Sequence, residues 1–150
     1  MTAGTLYPRV QLYDPRGVRI ADSGWQYQRA VIDDCKLKTP GIYTIVASNG
    51  FGTGTGEYEL SLVVIPGATT SPQDRDGGDM TIGRTHTGTI ALGDLDVYLV
   101  YGQVGQGVVI EVVTLGASGV YPQLRLYDPY GAKVVDTGWQ YTRAVIENYQ

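Results

Sequence analysis

The sequence predicts an all-β fold, an antiparallel β-sandwich of jelly-roll type, on three observations. Apolar and polar residues alternate at period two along most of the chain, which is the mark of strands with one buried face. Gly- and Pro-rich breaks such as GFGTGTG, GQVGQG and GASG interrupt these runs at short intervals, and many short strands joined by such turns pack as sandwiches or barrels. The third observation is a repeat. The passage from Tyr7 to Asp34 returns without a gap as Tyr121 to Asn148, at a constant offset of 114 positions. A period so close to the length of the chain predicts one sandwich built from a cyclically permuted repeat.

The elements follow in order. VQLYDPRG carries a short strand into a D-P-x-G turn, and LRLYDPYG repeats it. Proline at the second turn position presets the backbone angle, Asp14 or Asp128 caps the turn through its side chain, and Gly17 or Gly131 leaves it without steric cost. WQYQRAVI and WQYTRAVI are read as the second strand of each hairpin, with Trp25, Tyr27, Arg29 and Val31, or Trp139, Tyr141, Arg143 and Val145, sharing one face. In GEYELSLVVI, Tyr58, Leu60, Leu62 and Val64 point one way while Glu57, Glu59 and Ser61 point the other. DVYLVYG alternates Val97, Leu99 and Tyr101 with Tyr98 and Val100, and GVVIEVVTLG places Glu111 opposite Val108, Ile110 and Val112. The run from Pro66 to Thr81 lacks alternation and is rich in Gly, Pro, Ser, Thr and Asp, which predicts a linker over 67–83. The expected organisation is a single domain over 1–150, with residues 7–66 the back part of one repeat and 84–150 the front part of the next.

Composition excludes several classes. A net charge of −4 with interspersed signs leaves no basic patch for nucleic acid. No run approaches the ~18 apolar residues that a membrane-spanning helix needs, and MTAGTLYPRV has neither the basic nor the apolar region of a signal peptide. Cys35 is the single cysteine, so no disulfide forms within the chain and no multi-cysteine zinc site exists. His86 is the single histidine, with no G-x-S-x-G or other nucleophile motif beside it, and the glycine runs lack the lysine of a phosphate loop. The expectation is a protein without enzymatic activity.

Two features remain for function. Asp74, Asp76 and Asp79 in DRDGGD are closely spaced acids in a Gly-containing loop, the kind of segment that supplies oxygen ligands to calcium, although such a run is more often solvated. Twelve tyrosines and two tryptophans in a chain with one phenylalanine either fill the core or form an aromatic platform, and composition favours the core. The Trp-Gln-Tyr strand is the exception. Arg29 and Arg143 on the same face argue that it reaches solvent or a polar interface, which makes Trp25, Tyr27, Arg29, Trp139, Tyr141 and Arg143 the candidate ligand-binding residues.

With the permutation undone, five elements fall in a familiar cyclic order. They are the D-x-D-x-Y opening at Asp94, Asp96 and Tyr98, the glycine at Gly102, the L-Y-D-P-x-G hairpin at Leu126 to Gly131, a P-G-x-Y-x-x-x-V strand at Pro40 to Val46, and a G-x-Y-x-L strand at Gly56 to Leu60. Together they resemble the bacterial pre-peptidase C-terminal domain, a β-sandwich module related to the collagen-binding domains of clostridial collagenases. The resemblance implies an extracellular or cell-surface accessory module that binds a matrix protein or polysaccharide, and it adds Asp94 and Asp96 to the calcium candidates. Here the order of the parts departs from the linear one and no enzyme accompanies them.

Each chain supplies one front segment, two hairpins and one back segment, so one hairpin is surplus. A lone hairpin exposes unpaired edges, which predicts a homo-oligomer, a dimer or a strand-swapped pair. Two functions stay open: a non-catalytic binding module, or a self-associating repeat fragment that assembles through the duplicated hairpin.

Overall fold

The structure is a computed structural model that describes residues 5–51, 54–67, 75–91, 94–116 and 119–149. Among these residues every regular element is a strand, as the alternating pattern requires, and there is no helix. The chain divides into two compact units, Met1–Leu60 and Ser61–Gln150. Each copy of the duplicated hairpin belongs to a different unit.

The first unit holds β1 (Pro8–Tyr13), β2 (Arg19–Asp22) and β3 (Thr44–Asn49) in one antiparallel sheet of order β2-β1-β3. The second holds β4 (Gly77–Asp79) parallel to β5 (Val97–Leu99), β6 (Val108–Val113) antiparallel to β9 (Arg143–Tyr149), and β7 (Arg125–Tyr127) antiparallel to β8 (Lys133–Asp136). On β6 the side chains alternate between half-buried and exposed, with Glu111 on the exposed face as the sequence requires. Its partner β9 carries the buried apolar side chains of the described residues, Ala144 and Ile146, which are 1% and 3% exposed.

The two hairpins form in the same way down to their irregularities. Asp14 Oδ1 accepts the N–H groups of Arg16 and Val18 at 2.9 Å each, and Asp128 Oδ1 accepts those of Tyr130 and Ala132 at 2.9 and 2.8 Å. Gly17 and Gly131 close the turns at φ 80° and 76°, a region that a Cβ disfavours. Both hairpins shift register one residue before the turn, at Leu12/Tyr13 and at Leu126/Tyr127.

Four expectations about strands need correction. The return strand of each hairpin is not Trp-Gln-Tyr but the segment before it, β2 or β8. The reason is local: Asp22 and Asp136 each accept the N–H of the glycine two residues on, at 2.9 Å, and Gly24 and Gly138 adopt φ 66° and 61°. This turn ends the extended run, so Trp25 and Tyr27, or Trp139 and Tyr141, follow it instead of alternating along a strand. Secondly, GEYELSLVVI forms no strand and enters none of the ladders among the described residues, although Leu6 lies against Gly56 and Gly131 against Ile65. Thirdly, Gly77–Asp79, expected within the linker, is β4, since glycine's missing side chain does not prevent pairing with the Val97–Leu99 backbone. Finally, the DVYLVYG strand is confined to Val97–Leu99.

The third part of the duplicated passage shows how far partners decide structure. Arg143–Tyr149 is a strand because β6 lies beside it, whereas the matching residues Arg29–Cys35 form none.

Candidate functional site

The turn that ends each hairpin also builds an aromatic cluster. In the first copy, Val10 N–H donates to Ser23 Oγ at 3.0 Å, Gln26 N–H donates to Pro8 O at 3.0 Å, and the Gln26 amide donates to Ser23 O at 3.1 Å. In the second, Leu124 N–H donates to Thr137 Oγ1 at 3.0 Å, Gln140 N–H to Pro122 O at 2.9 Å, and the Gln140 amide to Thr137 O at 2.9 Å. Serine and threonine are interchangeable here because only the hydroxyl is used. These bonds fold the Trp-Gln-Tyr segment back against the tyrosine that opens the hairpin.

The outcome is a triad of rings at each end. Tyr7, Trp25 and Tyr27 stand edge to face with centroids 6.1, 5.5 and 5.9 Å apart. Tyr121, Trp139 and Tyr141 do the same at 6.1, 5.9 and 6.1 Å. These are favourable geometries for quadrupolar rings. The rings are not core: Trp25 is 50% exposed and Trp139 66%. Tyr121, Trp139 and Tyr141 line an open hollow of about 380 Å³. Tyr7, Tyr121 and Phe51 belong to these clusters and were not singled out in the sequence. The signal that marks the tyrosines is the Tyr-Pro that opens both copies.

In each hairpin a carboxylate holds the two strands together. Asp22 takes Arg9 as a bidentate partner together with Gln11 and Arg19. Asp136 takes Gln123, Lys133 and Arg125. The first strand has thus exchanged its residues, Arg9 and Gln11 becoming Gln123 and Arg125, while a cation and an amide still reach the same carboxylate. The side-chain hydrogen bond from Arg9, and then the Gly24 N–H, hold Asp22 well below the usual carboxylate range. Gln123 and then the Gly138 N–H do the same for Asp136, against the opposing effect of desolvation.

The two arginines of the candidate set part company. Arg143 lies on β9 and binds Glu111 of β6, which raises its guanidinium further above the ordinary arginine value. Arg29 is exposed, follows no strand and forms no ion pair among the described residues.

Of the acidic candidates, Asp74 lies outside the described residues. Asp76 and Asp96 come together at the start of the parallel β4–β5 pair: a Cβ placed on Gly88 would meet Asp96 Oδ2 at 2.6 Å and Asp76 Cβ at 3.4 Å. Asp76 Oδ2 accepts the Thr89 N–H at 2.6 Å. Asp79 sits at the far end of β4, opposite Leu99, and Asp94 caps its own loop through Leu95 N–H at 2.8 Å. Among the described residues no group of three or more His, Cys, Asp or Glu side chains is placed to hold a metal ion. His86 accepts a hydrogen bond from Thr81 N–H at 3.3 Å and packs edge-on to Tyr98.

No protein-family model, no curated protein and no solved structure matches the chain.

Proposed function

We propose that this chain is a non-catalytic binding module whose contact surface is the pair of aromatic triads on the duplicated hairpin. The observation that carries the reading is the repetition of one arrangement: the same hydrogen-bonded turn presents the same three exposed rings twice. Exposed Trp and Tyr side chains, rigid and amphipathic, supply contact area at small entropic cost, and they are the side chains that dominate binding energetics. The antiparallel sheets and the absence of helix among the described residues are compatible with a permuted β-sandwich of the pre-peptidase C-terminal type. That resemblance supports an extracellular or cell-surface setting and a matrix protein or polysaccharide as ligand.

The test is an array of glycans and extracellular-matrix proteins probed with the intact chain and with Trp25→Ala/Trp139→Ala. Saturable binding that weakens at least tenfold in the double variant is expected. Binding that is equal in both chains would remove the triads from the site.

A second reading, self-association, is favoured by Arg29–Cys35. Its twin pairs as a strand with β6, so a strand conformation is open to this sequence when another copy offers it a partner. Sedimentation velocity across a concentration series checks this, with a species heavier than 16.2 kDa that grows with concentration as the expected result.

A further inference from the structure

The rings of each triad meet at steep angles. In the second, the planes of Tyr121, Trp139 and Tyr141 are inclined to one another by 82°, 70° and 76°, with centroids 6.1, 5.9 and 6.1 Å apart. The first triad repeats the arrangement at 89°, 67° and 71°, because the same fold-back sets it. Tyr121, Trp139 and Tyr141 also bound one open hollow of about 380 Å³, which no other side chain among the described residues lines. They are three walls of a corner. Rings so placed, about 6 Å from centroid to centroid, share a point about 4 Å in front of every face, inside the distance of about 6 Å at which a ring attracts a cation.

The shape and charge of the corner select its occupant. A sugar ring or a planar guanidinium lies flat on a single wall, whereas a tetrahedral group with apolar arms meets all three at once. The ring faces carry the negative part of the aromatic quadrupole, so the group they favour is positive. The hairpin brings no competing cation to the hollow: Arg125 and Lys133 are paired with Asp136, and Arg143 with Glu111. No carboxylate lines it either. A primary ammonium would therefore give up its strong hydration without an ion pair in return, while a methylated ammonium, more weakly hydrated, loses little. The net charge of −4 on the chain favours the approach of a cation.

We propose that the Tyr121–Trp139–Tyr141 corner is a binding site for a trimethylammonium group, the head of choline or of a trimethylated lysine. This rests on the reading of the triads as a ligand surface and names the group that the second triad holds on that ligand. Attraction between the cation and three ring faces supplies the affinity, and the methyl groups fill the corner.

The experiment titrates the intact chain with choline chloride at constant ionic strength and follows the indole N–H signal of Trp139 by NMR. A saturable shift with a millimolar dissociation constant is expected. Binding should be at least tenfold weaker for dimethylbutanol, the uncharged carbon isostere of choline, and for ethanolamine, its primary ammonium counterpart. Nε-trimethyllysine run beside choline distinguishes the carriers, the tighter binder naming the source. Tyr141→Leu keeps an apolar side chain at a position 74% exposed and removes one ring face, so folding is not at stake. It should bind choline about twofold to fivefold more weakly. Absence of a saturable shift, equal affinity for dimethylbutanol or ethanolamine, or unchanged affinity in Tyr141→Leu overturns the proposal. Should choline fail while Trp25→Ala/Trp139→Ala still weakens binding on the array, the trimethylammonium group is removed and the triads keep their place as a ligand surface.

Discussion

Asp22 and Asp136 show how much of this protein is written in single side chains. Each accepts the N–H of a glycine that ends a strand, and each gathers a cation and an amide from the neighbouring strand. Their pKa values are depressed in the folded chain, so the stabilisation they supply is complete above the ordinary carboxylate pKa and is lost as acid protonates them. The melting temperature should accordingly fall as pH is lowered from about 5 toward 2, and Asp22→Asn/Asp136→Asn should both lower it at neutral pH and flatten that acid dependence. Thermal melts by circular dichroism at a series of pH values check this; an unchanged acid limb would show that other groups govern it. The exchange of Arg9 and Gln11 for Gln123 and Arg125 gives a second test at this scale. Arg9→Gln alone should lower the melting temperature, whereas Arg9→Gln/Gln11→Arg, which copies the second hairpin into the first, should restore it.

At the scale of elements, the D-P-x-G turns and the β6 strand were legible in the sequence because their determinants are local. Pro, Asp and Gly at fixed turn positions, and an acid on the wet face of an apolar run, depend on nothing distant. The return strands were misplaced because VRIAD and AKVVD are short, while WQYQRAVI is longer and more apolar; what decides is the Asp-to-Gly bond, a turn signal outweighed by the better strand pattern. GEYELSLVVI has a good strand pattern and yet joins no ladder among the described residues. Of the site, Trp and Tyr and their reach toward solvent were legible, but the ring clusters were not, since they follow from the fold-back that Ser23 and Thr137 pin. Glycine matters at one crossing here. Gly50→Ala would force a Cβ to within 2.5 Å of Trp25 Cβ and should cost about 1–3 kcal/mol, releasing Phe51 from the first triad. Denaturant unfolding together with tryptophan emission measures both effects, and a stable variant with unchanged emission would contradict the packing described.

For the molecule as a whole, one passage placed twice has the same hairpin and two different surroundings. The first copy recruits β3 and Phe51; the second recruits β6 and so makes a strand of its final segment. The twin isoleucines should feel that difference. Ile146→Ala empties a side chain that is 3% exposed and should cost about 2–5 kcal/mol, while Ile32→Ala, in the strandless twin, should cost about 1 kcal/mol or less. The most direct measurement is amide hydrogen exchange of Arg29–Cys35 beside Arg143–Tyr149 in the same molecule. Nearly the same sequence should exchange faster in the first segment than in the second, because the second is laddered to β6. Equal protection in the two would contradict the account, since it would mean that the passage and not its partner strand sets the structure.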